Sequence, residues 1–275
     1  FVILGTRPNV FQPVSISPFL INPLTNHGES QPGWQTGAPV IVIDGTNVPS
    51  LPDGGGNLIA PNGFDFRDSA HNSEVRGLVI GGYLPENGRN GFAIIIQTND
   101  NIIQGNFLGI SADGQSAFPN NRGIEIINGS RNLIGGTTIQ ERNIISGNIS
   151  MGIGIFGNTG EYSDGPGSSD NRIIGNYLGT NADGNLPVAN QMNIQVSEGA
   201  KRTKIGGIFS EERNVISGAT LYGITVAGSG TNRTEIKGNY IGTNANGNLS
   251  IANHSRGIFL TQGVDSTAIG GTETD

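Results

Sequence analysis

The chain has 275 residues, 35% of them hydrophobic, and its 22 acidic and 15 basic side chains give a formal net charge of −7. This balance argues against a nucleic-acid partner, which requires a basic surface. No stretch approaches the roughly 20 apolar residues of a membrane span, and the absence of cysteine is compatible with an oxidising exterior and equally with the cytosol.

The first 37 residues differ in composition from the rest of the chain. They contain five prolines and the single tryptophan, Trp34. Because proline cannot donate to a β-ladder and blunts an exposed sheet edge, we expect residues 1–37 to form an N-terminal cap or an irregular first coil. Regular structure is expected over residues 38–275, beginning with the apolar run 40–43 and ending in an incomplete coil.

From residue 75 onward, an aliphatic residue is followed two places later by glycine seven times, at intervals of 28 to 39 residues. Recurrence at a nearly constant period is typical of a solenoid, in which each repeat stacks on its neighbours. We expect these glycines to be structural, at one turn of every coil. They are Gly77, Gly105, Gly136, Gly175, Gly207, Gly238 and Gly271.

Short apolar segments flank each glycine. Upstream, two apolar residues enclose one residue of another kind, as in Ile124-Glu125-Ile126, and this alternation predicts a strand. A third strand is predicted downstream, as at residues 107–108. The 45 glycines and frequent Asn-Gly and Asp-Gly pairs disfavour helices. The sequence therefore predicts an all-β, single-stranded parallel β-helix of seven to eight coils, each of about 30 residues and three strands.

A polar column accompanies the glycine column, two positions before each aliphatic residue. A Ser, Asn or Thr repeated at one turn of every coil predicts a ladder of side chains, or side-chain caps on backbone turns. Its members are Ser73, Asn101, Asn132, Asn171, Thr203, Thr234 and Thr267.

Two types of sequence string alternate along the chain. GNFLGISADG (105–114), GNYLGTNADG (175–184) and GNYIGTNANG (238–247) alternate with NLIGGTTIQERNIISGN (132–148) and TKIGGIFSEERNVISGA (203–219). Over residues 38–272 they resemble the right-handed parallel β-helix repeats of large secreted or surface-attached bacterial proteins of pectate-lyase-like architecture. The resemblance implies a right-handed coil, and functions from polysaccharide cleavage to adhesion or passive structure. Arg142 and Arg213, in the Glu-Arg-Asn insert, are expected to bind carboxylates and backbone carbonyls.

The predicted first strands of the coils form a column of outward residues, and the two acids in this column are candidate catalytic residues. Asp65 and Glu125 are two coils apart, about 9.6 Å by strand spacing, near the upper end of the separation in inverting glycosidases. Small residues between and beside them predict a groove, but the column lacks arginine, lysine and histidine. The predicted outward column is Asp65, Ala93, Glu125, Gly154, Gln195, Thr225 and Phe259.

Two turns are candidates for ligand binding. Asn181, Asp183 and Asn185 have the spacing of calcium ligands, but the equivalent triplet at 244, 246 and 248 has no charge, so we expect an ordinary turn, no metal and no cofactor. The longest turn, residues 157–171, contains Tyr162 and Asp164 as candidate ligand-binding residues, because a tyrosine can stack on a sugar ring. A solvated loop is the alternative.

The expected function is a structural or adhesive module, secreted or displayed at the cell surface. Its expected partner is itself or further coils of the same protein, stacked end to end in an extracellular fibre, because Gly270-Gly271-Thr272 stops where earlier copies continue. Glycans are a second candidate partner. The alternative function is a polysaccharide hydrolase or lyase that uses Asp65 and Glu125.

Overall fold

The computed structural model describes residues 2–4, 39, 41–52, 58–85, 89–158 and 167–270, with the backbone alone at 2–4, 51–52 and 58–59. Most of the predicted cap, together with Tyr162, Asp164 and Gly271, lies outside the described residues. The described residues form strands and turns, one 3₁₀ turn at Ser210–Glu212, and no α-helix.

The strands are short and recur in groups of three. In chain order they are β1 Val2–Leu4, β2 Ile41–Asp44, β3 Leu51–Pro52, β4 Leu58–Ile59, β5 Phe64–Phe66, β6 Glu74–Arg76, β7 Leu78–Gly81, β8 Phe92–Ile96, β9 Ile102–Gln104, β10 Phe107–Leu108, β11 Arg122–Ile127, β12 Leu133–Gly135, β13 Ile144–Ile145, β14 Met151–Phe156, β15 Arg172–Ile174, β16 Tyr177–Leu178, β17 Met192–Ser197, β18 Lys204–Gly206, β19 Val215–Ile216, β20 Tyr222–Ala227, β21 Glu235–Lys237, β22 Tyr240–Ile241, β23 Arg256–Thr261 and β24 Ala268–Ile269.

Three parallel sheets run the length of the molecule. Sheet 1 has the order β1-β2-β7-β10-β13-β16-β19-β22, sheet 2 the order β5-β8-β11-β14-β17-β20-β23, and sheet 3 the order β6-β9-β12-β15-β18-β21-β24. A separate antiparallel pair joins β3 to β4. The chain passes from sheet 2 to sheet 3 to sheet 1 and then enters the next coil. Coils 1 to 7 begin at β5, β8, β11, β14, β17, β20 and β23, and the predicted right-handed parallel β-helix is confirmed.

The core is a column of aliphatic side chains between the three sheets. Ile124 and Ile126 of sheet 2, Ile134 of sheet 3 and Ile145 of sheet 1 are fully buried in coil 3, and the other coils repeat this arrangement. Each backbone group in a middle coil bonds to the coil above or below, so the strands need no other partner. Ile269 belongs to the same column through its pairing with Ile236 but is 51% exposed, since no described coil follows it.

The loops divide the coils into two types. Coils 2, 4 and 6 are hairpin coils: after sheet 1, the loops at 110–117, 180–187 and 243–250 are each closed by an antiparallel bridge. These loops fold over the outer face of sheet 1, where Ile110 and Val188 pack against Phe107 and its neighbours. Coils 3 and 5 are insert coils, with the loops 137–142 and 208–213 between sheets 3 and 1. We name the three corners edge 1/2, edge 2/3 and edge 3/1 after the sheets they join.

Buried asparagines connect coil to coil at the corners. At edge 2/3 the predicted ladder is present: Asn101 Nδ2 donates to Asn132 Oδ1 at 2.8 Å, and Asn132 Nδ2 donates to Asn171 Oδ1 at 3.1 Å. Its next two members, Thr203 and Thr234, are buried, and their hydroxyls form no hydrogen bond with any other described residue. The ladder therefore changes from hydrogen-bonded amides to packed threonines.

A longer asparagine ladder at edge 3/1 was not predicted. Asn106 Nδ2 donates to Asn143 Oδ1 at 3.1 Å, and Asn143 Nδ2 donates to Asn176 Oδ1 at 2.8 Å. Every rung also caps a backbone carbonyl, as Asn143 does for Ile103. The rungs are Asn106, Asn143, Asn176, Asn214 and Asn239.

The glycine column has two different structural causes. In hairpin coils the glycine itself has a left-handed backbone, as at Gly175 with φ +68°. In insert coils the positive φ occurs one residue earlier, at Gly135 with φ +85°. Gly136 instead leaves room for Glu141, since a Cβ there would lie 2.5 Å from Glu141 Oε2. That carboxylate accepts the backbone N–H groups of residues 137 and 138.

Candidate functional site

The outer face of sheet 2 holds both candidate catalytic acids, in a column that differs from the predicted one. Asp65 and Glu125 each pair with Ile95, which lies on the strand between them. The prediction placed Ala93 in this column and was wrong by two residues, because Ala93 is buried in the core. The two carboxyls are thus separated by an isoleucine side chain instead of an open groove.

Each candidate acid is paired with an arginine two or three residues away in the sequence. Asp65 Oδ1 accepts a hydrogen bond from Arg67 Nε at 2.7 Å. Glu125 forms an ion pair with Arg122 on the same outer face. Arginine next to this column was not predicted, because the alternation assigned no outward position to residue 122.

Glu125 lies in an apolar environment. The Arg122 guanidinium lies 5.8 Å from the ring centre of Phe92 and 5.9 Å from that of Phe156, and Glu125 is 5% exposed. Burial raises the pKa of the Glu125 carboxyl, and Arg122 opposes that rise. A raised pKa suits a general acid, but a carboxyl with this exposure does not present itself to a polymer.

The groove predicted beside Gly154 is filled. A Cβ on Gly154 would lie 2.5 Å from Cε2 of Phe156, so the phenyl ring occupies the space that glycine leaves. Phe156 belongs to a buried apolar cluster on the outer face of sheet 2. The members of that cluster are Phe92, Ile95, Ile127, Met151 and Phe156, with Met192 packed against them.

Towards coil 7 the same face is more open and aromatic. The rings of Tyr222 and Phe259 lie 5.2 Å apart between centroids. The Arg256 guanidinium lies 4.4 Å from the Phe259 ring centre, and its Nη1 bonds to the Tyr222 hydroxyl at 3.3 Å. Of these residues only Phe259 was among the predicted outward positions. Tyr222 and Arg256 belong to a second outward column of sheet 2, whose members pair in the order Arg122, Met151, Met192, Tyr222 and Arg256. Aligning the strands on this column would have predicted both residues.

The hairpin loops use their polar side chains to close turns. Asn181 Oδ1 accepts the backbone N–H groups of Asn185 and Leu186 at 2.9 and 3.0 Å, and Asp113 Oδ1 accepts that of Gln115 at 3.0 Å. These bonds agree with the predicted turn. Among the described residues, no group of three or more His, Cys, Asp or Glu side chains could hold a metal ion.

The recurrent arginines at edge 3/1 bind a carbonyl and an aromatic ring. Arg142 Nε donates to the Gly175 carbonyl at 3.2 Å, and its guanidinium lies 4.1 Å from the Tyr177 ring centre. Arg213 repeats this with Gly238 and Tyr240. The carbonyl partner was predicted and the tyrosine was not. Cation–π contact thus joins each insert coil to the following hairpin coil.

Edge 2/3 carries a row of seven polar residues with left-handed backbone, five of them charged. Arg131 forms two hydrogen bonds of 2.7 Å with Asp100, and Arg202 does the same with Asp170. The arginine beside each aspartate lowers the pKa of both carboxyls. The row directly precedes the predicted polar column, and its alternating charge was a missed signal. It consists of Asn72, Asp100, Arg131, Asp170, Arg202, Arg233 and Ser266.

Comparisons with known proteins give no family. No protein-family model matches the chain, and no curated protein matches it. Within the described part of the chain, no helix has the length and apolarity needed to cross a membrane. The function is therefore inferred from the site geometry alone.

Proposed function

We propose that the chain is a structural and adhesive β-helix module of a secreted or surface-displayed protein, and that its coils continue by end-to-end stacking. The stacking partner is another β-helical coil, from the same protein or from a second molecule. The observation that carries the proposal is the exposure of the apolar columns of coil 7, which no described coil covers.

Coil 7 presents the same apolar columns that a following coil covers elsewhere. Leu260 is 41% exposed, whereas Val226, its neighbour in the same column of sheet 2, is fully buried. Ile269 is 51% exposed, whereas Ile236 beneath it is 2% exposed. A further coil would bury both side chains and pair with the edges of β23 and β24 that have no strand partner among the described residues.

Support also comes from the chemistry of the outer sheet 2 face. Asp65 and Glu125 are each engaged by an arginine, and Ile95 lies between them. Hydrolysis would require two carboxyls that act together on one glycosidic bond. Rigid, hydrogen-bonded coils with engaged acids favour a structural role over catalysis.

The assembly state of the purified chain tests the proposal. We expect light scattering and electron microscopy to show rods that lengthen with concentration. The double variant Leu260→Lys/Ile269→Lys places two charges on the stacking surface and should abolish lengthening. Lys204→Glu, an exposed change on the side of the rod, is the matched control. A monodisperse monomer at every concentration would contradict end-to-end stacking.

A catalytic assay tests the alternative. The chain is incubated with acidic and neutral glycans, and release of reducing ends is measured. We expect no release by the wild type. Release that disappears in Asp65→Asn or Glu125→Gln would refute the structural assignment and make sheet 2 an active site.

A further inference from the structure

The exposed apolar side chains are distributed unevenly around the rod. Among the described residues, nine large hydrophobic side chains are exposed. Two of them belong to the open columns of coil 7, and the other seven all lie on the two edges that border sheet 1. Edge 1/2 carries Leu84, Ile149, Leu186 and Leu249, and edge 3/1 carries Ile139, Ile208 and Phe209.

Edge 2/3 has the opposite character. None of the nine exposed hydrophobic side chains lies there. The surface of this edge instead carries the ion pairs Asp100–Arg131 and Asp170–Arg202. Exposed apolar residues scattered singly need no explanation. Among the described residues, however, the exposed apolar side chains outside coil 7 are restricted to the two borders of sheet 1, whereas the third edge is ionic. This uneven distribution requires an explanation.

At the height of coil 4, the two sides of the sheet 1 face also carry different charges. Tyr177 lies between them in coil 4, with Gly184 of the hairpin packed on its ring and Arg142 of the insert loop stacked on it. Asp183, next to Gly184, is exposed on the hairpin side. At this height the face therefore carries an exposed acid towards edge 1/2 and an arginine towards edge 3/1, where the neighbouring Glu141 carboxylate is engaged by backbone N–H groups of its own loop.

We propose that two copies of this chain pair side by side through their sheet 1 faces, related by a two-fold axis parallel to the rod. Such a rotation exchanges left and right but keeps height, so edge 1/2 of one copy meets edge 3/1 of the other. Leu186 then faces the insert loop with Ile139, and Asp183 faces Arg142 of the second copy. A two-fold axis across the rod would instead place acid against acid, which charge repulsion disfavours.

Oligomeric mass tests the pairing independently of end-to-end stacking. The measurements use the Leu260→Lys/Ile269→Lys background as well as the wild type, so that failure of rod growth leaves the side-by-side pair measurable. For the Leu260→Lys/Ile269→Lys protein, we expect analytical ultracentrifugation to show a dimer that does not grow further. Adding Leu186→Lys or Phe209→Lys should weaken dimerisation at least about tenfold, because the interface would then have to bury an unpaired charge in place of an apolar side chain. Monomers in both backgrounds would overturn the proposal.

A matched pair of charge variants tests the predicted contact. Asp183→Asn removes the acid opposite Arg142 and should weaken the dimer a few-fold, with less salt dependence. Asp113→Asn makes the same change in coil 2, where the hairpin glycine packs on Phe107 instead of a tyrosine. Because coil 1 has no insert loop, no arginine equivalent to Arg142 faces Asp113, and this variant should leave the dimer unchanged. Equal effects of the two variants would contradict the assigned face.

Cysteine cross-linking tests the orientation, since the natural chain has no cysteine. Under mild oxidation, a mixture of Leu186→Cys and Ile139→Cys proteins should form a mixed disulfide, because the parallel two-fold axis brings these two edges together. Each variant alone should remain uncross-linked. A Leu186→Cys homodimer would refute the parallel axis, and failure of all cross-links in a dimeric sample would refute this face.

Discussion

Arg202 binds Asp170 of the preceding coil through two hydrogen bonds of 2.7 Å, from Nε to Oδ1 and from Nη2 to Oδ2. Arg131 and Asp100 repeat the arrangement two coils earlier. All four residues have φ between +53° and +63°, so their side chains extend from the corner at the same angle. The shared backbone conformation aligns planar guanidinium with planar carboxylate, the geometry that favours bidentate pairing.

These pairs predict a loss of stability in acid. The pKa of Asp100 and of Asp170 is lower in the folded chain than its ordinary value, chiefly because of the hydrogen bond from the arginine. A lowered pKa contributes stability above the unfolded value of about 3.9, and this contribution is lost as pH falls through the folded pKa. We expect Asp170→Asn to be less stable than wild type at neutral pH and to converge with it below pH about 4.

Urea denaturation at several pH values provides the measurement. The control is Asp265→Asn, the same change at an exposed aspartate that forms no ion pair with an arginine among the described residues. A difference between Asp170→Asn and wild type that persists unchanged in acid would show that the ion pair is not its cause.

The fold followed from periodicity because one constraint acts on every coil. A buried column requires Val75, Ile103 and Ile134 at a constant position, and that regularity is visible without coordinates. The register of β8 was harder to predict, since the run Phe-Ala-Ile-Ile-Ile is apolar on both faces and offers two alignments with Glu125. Inward and outward positions were distinguishable only where the outward residue is polar.

The chemistry of the outer faces depends on neighbours that lie about 30 residues apart. That Arg122 neutralises Glu125 follows from the side chain's direction at the start of β11, which alternation alone did not assign. The ladder at Asn106 and Asn143 was hidden because their spacing from the glycine column differs between coil types. Alternating Asp and Arg at edge 2/3 was legible but was not read as a column.

The asparagine ladder at edge 3/1 should contribute strongly to stability. Asn143→Ala would remove the acceptor of the buried Asn106 backbone N–H and the side-chain donor to the Ile103 carbonyl. Each unsatisfied buried group costs about 1–3 kcal/mol, so we expect a loss of about 3 kcal/mol or more in the free energy of unfolding. Asn185→Ala, on an exposed hairpin, is the control and should cost under about 0.5 kcal/mol. Equal losses in the two variants would contradict the role of the ladder.

Glu125 should show the opposite pH dependence from Asp170. Its pKa is raised by burial, with Arg122 acting against the rise. A raised pKa contributes stability below the unfolded value of about 4.3, and the contribution is lost as pH rises through the folded pKa. Relative to Glu125→Gln, wild type should therefore lose stability as pH rises from 4 towards neutrality. Denaturant titration of both proteins gives the difference, and a wild type that gains stability over Glu125→Gln as pH rises would show that Arg122 outweighs burial.

Two glycines with the same backbone handedness separate conformational strain from steric overlap. Gly175 has φ +68° and Gly199 has φ +81°, so alanine is strained at both by about 1–2 kcal/mol. A Cβ at Gly175 would also overlap the Gly136 carbonyl oxygen of the neighbouring coil, whereas at Gly199 it would meet nothing within 4 Å. We therefore expect Gly175→Ala to destabilise the fold by at least about 2 kcal/mol more than Gly199→Ala, because overlap with fixed backbone must separate the coils. Thermal and denaturant unfolding of both variants provide the comparison. Equal destabilisation would mean that backbone strain alone fixes the glycine column, and that the close approach of coils at this turn adds nothing.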